Sequence, residues 1–506
     1  MKKFIATIIL FMLSFFAYAH EQHLGKIDFK TSGNQSAQPY FERGVMKLHS
    51  FEYHDALLDF RKAREIDPHF ALAYWGEAMT YNHPLWGEQD FAAAITVLNR
   101  LSPTYEGRVQ KAKTTKEKKL INAINQLYGQ GNKTFRDLAY LEKMHQLYDQ
   151  YPNDDEIASF YALALLGATG TERDIGNYMK AAAIAGDIFS RNPLHPGALH
   201  YAIHAFDDPI HAPLGLKAAR TYAHIAPDAS HALHMPSHIF MALGMWDDVI
   251  GANKAAWEAG VKQNPTSDPK VFTVDDLHSL LWLSYGYLQK EEYRTAYLLT
   301  KIMENIAMKS NTPMAKWYYS IMRSAYILAS CDFQADLKSL DMQNIELSAR
   351  VNDLYVNALI ALHQKNIKSA KAILNHLKTI IPNKIEAQEL FSDYFTSISS
   401  KAINTANIMI LELQAEIAMF EKKKAQAIQL LNEAITLENN MSVDYGPPIP
   451  VKPARELLAE YLMSEKKYRE AYSHYVIALK RFPHRLPLEK GLKQAEKKFN
   501  ATRMST

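Results

Sequence analysis

Apolar residues along this chain recur three and four positions apart, stretch after stretch. Alternating apolar–polar runs are short and two-residue hairpin signals are scarce. A period near 3.6 predicts a chain that is nearly all helix. The same side-chain sizes also return at fixed offsets. Gly44, Ala56, Phe60, Ala63 and Pro68 stand at offsets 0, +12, +16, +19 and +24. Ala459, Ala471, Tyr475, Ala478 and Pro483 repeat the series, as do Ala358, Ala370, Leu374, Leu377 and Pro382. The offsets have a mechanical meaning. A small residue on each of two antiparallel helices lets them approach, an aromatic or leucine fills the gap, and proline stops the second helix.

This spacing resembles the tetratricopeptide repeat, a helix–turn–helix unit of about 34 residues. The turn and second helix of further copies are readable at 243–259, 287–303 and 419–435. Residues 70–160 keep the helical period but lose the spacing. Within them, 137–156 reads as a second helix with its proline stop. The expected fold is therefore all-α, a right-handed superhelical solenoid of tetratricopeptide-like helix hairpins over residues 35–500. The array divides into an N-terminal part (35–300) and C-terminal repeats (301–500). Prolines deny a helix at 440–453, which is expected to cross the stack as a loop.

The first residues read differently. Lys2 and Lys3 precede an apolar run from Phe4 to Phe16, followed by Ala17-Tyr18-Ala19. That is the pattern of a secretory signal peptide (1–19) cut after Ala19, ahead of a tail at 20–34. The expected location is periplasmic or secreted. No other stretch is long and apolar enough to predict a membrane span in the mature chain.

Composition narrows the chemistry. Of 506 residues, 48% are apolar and 22% charged, which is ordinary for a globular chain. Lysine and arginine number 57 against 54 acidic residues, so the basic stripe of a nucleic-acid binder is not expected. Cys331 is the single cysteine, which excludes an intrachain disulfide and a multi-cysteine zinc or iron–sulfur site. It reads as buried filler. No nucleophile elbow, phosphate-binding loop or HEXXH motif is present.

Histidine is where the chain departs from the ordinary. Eight of its 20 histidines fall between His195 and His238, where an even spread gives about two. Pro196 suits a helix start and Asp207-Asp208-Pro209 its end, so His200 and His204 lie one above the other. A second helix is expected from Pro213 to His224. A third carries His231, His234 and His238 on one stripe, with its start near His234 if Pro236 sits in the first turn. Two facing pairs could converge on one cation through His200, His204, His234 and His238. His231, Asp207, Asp208 and His278 are alternates. Neutral imidazoles suit a divalent transition metal such as zinc, copper or iron. The other readings of the block are a buried hydrogen-bonded network and a face that contacts a peptide.

The block 195–246, with its HMPSHIF core, resembles that of a group of secreted bacterial tetratricopeptide-repeat proteins. The segments 71–86 and 48–57 are similar to other shared parts of that group. The resemblance spans roughly 40–290. It implies the fold, export and a signature role for the histidines, and it supplies no reaction.

Elsewhere, Trp75, Glu77, His83 and Trp86 form a compact block. Glu77 is a candidate general base or ligand there, against a plain packing role. His49 and His54 flank the first repeat's turn and read as surface residues. His20, at the new N-terminus, is a weaker copper candidate. Two functions follow. One is an exported protein with a histidine-ligated metal site acting on, or binding, a ligand in the concave cleft. Such a site is hydrolytic or oxidative if a coordination position is open. The other is a non-catalytic periplasmic scaffold that binds a peptide or partner protein in its groove.

Overall fold

The computed structural model describes residues 23–168, 173–264, 268–381, 400–442 and 446–504. The expected signal peptide, His20 and Pro382 lie outside these. The described residues are almost entirely helical.

The first hairpin pairs α1 (Gln38–His49) with α2 (Tyr53–Ile66). Next come α3 (Ala71–Met79), a two-residue ribbon of β1 (Asn82–His83) and β2 (Glu88–Gln89), α4 (Phe91–Leu101), α5 (Tyr105–Lys111), α6 (Thr115–Leu127) and α7 (Lys133–Gln150). The histidine-bearing layers follow: α8 (Asp155–Gly167), α9 (Ile175–Arg191), α10 (Pro196–Phe206), α11 (Ala212–Ile225), α12 (Ser230–His234), α13 (Pro236–Ala242), α14 (Trp246–Gln263) and α15 (Val274–Gln289). The C-terminal repeats contain α16 (Tyr293–Ser310), α17 (Pro313–Ser330), α18 (Leu347–His363), α19 (Ile367–Ile380), α20 (Ser400–Phe420), α21 (Lys424–Asn439), α22 (Ala454–Ser464), α23 (Tyr468–Arg481) and α24 (Leu486–Met504).

Each helix packs mainly on its neighbours along the chain, which is the one-dimensional stacking of a repeat solenoid. The spacing residues do the work expected of them. A Cβ on Gly44 would come within 2.9 Å of the Phe60 ring, and one on Gly76 within 2.3 Å, so glycine is what lets α1 and α3 close on α2. Ala56, Ala63, Ala459, Ala471, Ala478, Ala358 and Ala370 are all buried.

One turn recurs between paired helices. Phe51, Gly244, Glu291, Lys365, Lys422 and Lys466 each hold a positive φ at the same place, between the last residue of one helix's cap and the start of the next. The following N–H reaches back five residues, as in Glu52 to the Lys47 carbonyl (3.0 Å) and Lys467 to Leu462 (2.9 Å). This is a Schellman closure. The short ribbon at 82–89 explains the lost spacing of 70–160, because it separates α3 from the helices that follow. Cys331 is not buried: α17 stops at Ser330, and Cys331 turns outward with a φ of 55°.

Two departures from neighbour-only stacking position the site. α10 also packs on α1 and α8, and α12 also packs on α15.

Candidate metal centre

His195 caps α10, its Nδ1 accepting the Ala198 N–H at 3.1 Å, and Pro196 occupies the first turn. Arg173 closes the other end of α10 by donating to the Ala205 carbonyl at 2.8 Å. His200 and His204 thus face one way from a short helix fixed at both ends. In the third segment, α12 ends at His234 and α13 begins at Pro236, with Met235 between them in helical conformation. His231, His234 and His238 therefore sit on an almost continuous helical stripe, and His231 is helical rather than in a loop. α15 begins with a Thr273–Asp276 capping box and brings in His278.

The structure gathers these donors into two groups rather than one. His200, His204 and His231 offer nitrogens within 4.8 Å of one another, and so do His234, His238 and His278. Thus the four expected ligands split two and two, and the alternates His231 and His278 complete the sets. Five of the six are buried and His278 is partly so.

What each ring's second nitrogen holds decides where its lone pair lies. His200 Nδ1 donates to the His49 carbonyl oxygen at 2.6 Å. His231 Nδ1 donates to Asp275 Oδ1 at 2.9 Å, and His238 Nδ1 to Asp207 Oδ2 at 2.5 Å. His234 Nδ1 donates to Asn253 Oδ1 at 2.6 Å, while the Asn253 amide NH2 donates to the Val249 carbonyl. All four partners are acceptors, so a proton sits on each Nδ1, and a ring with that proton alone carries a bare lone pair on Nε2. This outer hydrogen bond is the habit of metal-bound histidine.

The consequence is sharpest at His234 and His238. Their Nε2 atoms lie 3.1 Å apart with two lone pairs facing. His200 and His204 show the same 3.1 Å separation. An ion held at about 2.0–2.1 Å from each nitrogen sets tetrahedral donors about 3.3–3.4 Å apart. His231 Nε2 is buried with no hydrogen-bond partner among the described residues. Burial pushes His200, His204, His234 and His278 well below the usual histidine value, reinforced by the neighbouring rings. They are held neutral.

Aromatic rings close the site. Phe51 covers the first group, 4.3 Å from the His200 ring centroid and 5.5 Å from that of His231. A bulky residue at φ 57° is costly, which makes the placement of this ring notable. Trp282 backs the second group at 4.5 Å from His238 and 5.0 Å from His234.

A third cluster behaves oppositely. His49, read from sequence as a surface residue, is fully buried. Its Nε2 meets Glu156 Oε2 at 2.8 Å and its Nδ1 the Tyr201 hydroxyl at 2.8 Å. His195 Nε2 takes Glu156 Oε1 at 3.1 Å. Every ring nitrogen is spent inside the protein. Burial opposes the Glu156 charge, but both imidazoles outweigh it and hold the carboxyl down at about 2. Gly197 admits this packing, since a Cβ there would lie 2.7 Å from His49 Nδ1.

The remaining candidates have other duties. Asp208 binds Arg173 and His211. Glu77 is buried, and Arg61 and Arg64 donate to its two oxygens at 2.9 and 2.8 Å, so neither oxygen is placed as a base. Trp75 is core, whereas Trp86 approaches His231 edge-on at 6.1 Å. His54 is exposed.

No protein-family model matches the chain, and no curated protein matches it. Solved structures align with it along most of its length. Yeast Tom70 shares 12% identity over 92% of this chain and 89% of that one, with a TM-score of 0.33. The TPR domain of P58(IPK) shares 14% over 92% and 99%, with a TM-score of 0.22. Human IFIT1, solved as a dimer with m7Gppp-AAAA, shares 13% over 95% and 92%, with a TM-score of 0.37. The described residues form an all-α stack of helix hairpins with tetratricopeptide-like spacing. Among the described residues, no helix is long and apolar enough to cross a membrane.

Proposed function

We propose that this chain is an exported tetratricopeptide-repeat protein whose histidine block is a transition-metal centre. One observation carries the reading: His234 and His238 turn two lone pairs on each other at 3.1 Å, while both Nδ1 protons are committed to Asp207 and Asn253. A hydrogen-bonded network needs a second ring proton on one of the pair, which burial disfavours on His234, whereas a metal ion meets both lone pairs without one. A cation between the rings removes the conflict. The His49–Glu156–His195 cluster illustrates the purely structural alternative, with donors matched to acceptors throughout.

The metal supplies Lewis acidity or electron transfer when bound. The chain's own part is to orient four of the six imidazoles through fixed oxygens and to cover the two groups with Phe51 and Trp282. The concave groove of the array remains suited to a peptide or protein partner, as repeat arrays generally are.

The test is metal analysis of tag-free protein recovered from the exported fraction, with its N-terminus sequenced. The expected result is a stoichiometric transition metal and a chain starting at His20. The His200→Ala/His238→Ala variant is expected to lose the metal and keep the helical circular dichroism spectrum. Should it fail to fold, His238→Gln reads the same loss. Protein that takes up no zinc, copper or iron, and whose melting is indifferent to them, overturns the reading.

A further inference from the structure

An imidazole nitrogen has one lone pair and serves one ion. Six histidines in two sets of three are thus donors for two ions, where the sequence pattern suggested four donors for one. Neither triad contains a carboxylate. Three nitrogens also leave a four-coordinate ion one position short.

The two sets are adjacent. The His204 and His238 ring centroids lie 5.6 Å apart, and those of His231 and His234 lie 6.0 Å apart. His231 and His234 belong to the same short helix, so the two sets share a backbone and cannot separate.

Resting on the metal reading above, we infer that the cluster is a two-ion copper centre. One ion sits in each triad, and a small ligand spans the two remaining positions.

Charge selects the metal. Two carboxylates are hydrogen-bonded to ligand rings, Asp207 to His238 and Asp275 to His231. Two copper(I) ions bring two positive charges, which these carboxylates match. Two divalent ions would need an added bridging anion, whereas two copper(I) ions need none, and burying charge without a partner is costly. Glu52 stands behind, accepting the His231 backbone N–H at 3.1 Å rather than a ring proton. Copper(I) also accepts three nitrogen ligands without a fourth. Oxidation of both ions adds two charges and draws an anion such as azide or hydroxide into the open positions. Each copper gives one electron to a one-electron oxidant such as ferricyanide, two of which are reduced to ferrocyanide per pair, and the anion enters without being oxidised.

The experiment uses the full mature chain, tag-free and stripped of metal. Copper(I) is titrated anaerobically against bicinchoninate. Two copper ions per chain are expected, and one per chain in each of His231→Ala and His278→Ala. Glutamine replaces alanine in either variant if its circular dichroism spectrum is not native. After oxidation with ferricyanide and addition of azide, the copper(II) resonance signal is expected to integrate to far less than two spins, because a bridged pair is magnetically coupled. One copper per chain, lost in either variant, overturns the two-ion inference and leaves the metal reading standing. Two coppers with a full two-spin signal overturn the shared ligand, and displacement of copper by equimolar zinc overturns the assignment of the metal. No bound metal of any kind overturns both.

Discussion

A neutral imidazole offers one lone pair, and the partner of its other nitrogen aims it. Asp207 does this for His238 with an anion rather than a neutral oxygen, which also makes the ring a better donor. Asp207→Asn keeps an acceptor of the same shape and removes the charge. It is expected to weaken metal binding by about 10–100-fold with little change in melting of the metal-free protein. Chelator competition measures it, and unchanged affinity would separate Asp207 from the centre. At this scale the sequence offered four of the six clustered histidines as ligands and the other two, His231 and His278, as alternates. His200/His204 and His234/His238 are legible because helical spacing alone stacks them. The tautomers of His200 and His234 are not, because they depend on the His49 carbonyl and Asn253, which only tertiary packing delivers. His49 looked like a surface residue for the same reason: its partner Glu156 is 107 positions away. Histidine density also overcounts, since His195 caps a helix and His211 pairs with Asp208.

At the scale of elements, the hairpins were readable because small and large residues must meet at fixed offsets within one repeat. The shared left-handed turn was not, since Gly244 is the one glycine among six occupants and the rest are Phe, Glu or Lys. Neither was the ribbon at 82–89, whose strands are two residues long. The C-terminal helices also hold a feature that pattern cannot reveal. On α20, Glu412 is fully buried, and neither oxygen has a hydrogen-bond partner among the described residues. Burial first, then the charges of Glu438 and Glu416, push its carboxyl well above the usual value near 4.5. The folded chain keeps this proton, while the unfolded chain releases it from about pH 4.5 upward. The resulting contribution to stability is whole below that pH and declines as pH climbs toward the folded value. Glu412→Met removes both the unpaired group and the slope. It is expected to stabilise by about 1–3 kcal/mol, with a larger gain at pH 8 than at pH 5. Urea midpoints at the two pH values decide it, and an equal gain at both would mean that Glu412 titrates alike folded and unfolded.

A repeat array owes most of its stability to contacts between successive units, so its two ends should melt independently. This molecule departs from that rule. Arg485, at the start of α24, is buried and donates to the Tyr285 hydroxyl on α15 at 2.9 Å, 200 residues away. The same guanidinium binds Glu456 at 2.5 Å and the Val451 carbonyl at 3.1 Å. Nearby, the Leu486 N–H reaches Gln289 at 2.8 Å. The described part of the 440–453 segment reaches the histidine layer: a Cβ on Gly446 would lie 2.7 Å from Trp282, the ring that backs His234 and His238. The C-terminal repeats are thereby tied to the wall of the histidine site. Arg485→Ala leaves Glu456 buried without its cation, which costs about 3–5 kcal/mol. It also cuts the link between the two halves. The wild-type chain is expected to lose helical signal and tryptophan fluorescence in one urea transition, and the variant in two, with the C-terminal repeats unfolding first. Coincident transitions in the variant would show that neighbour packing alone, without the closure, couples the array.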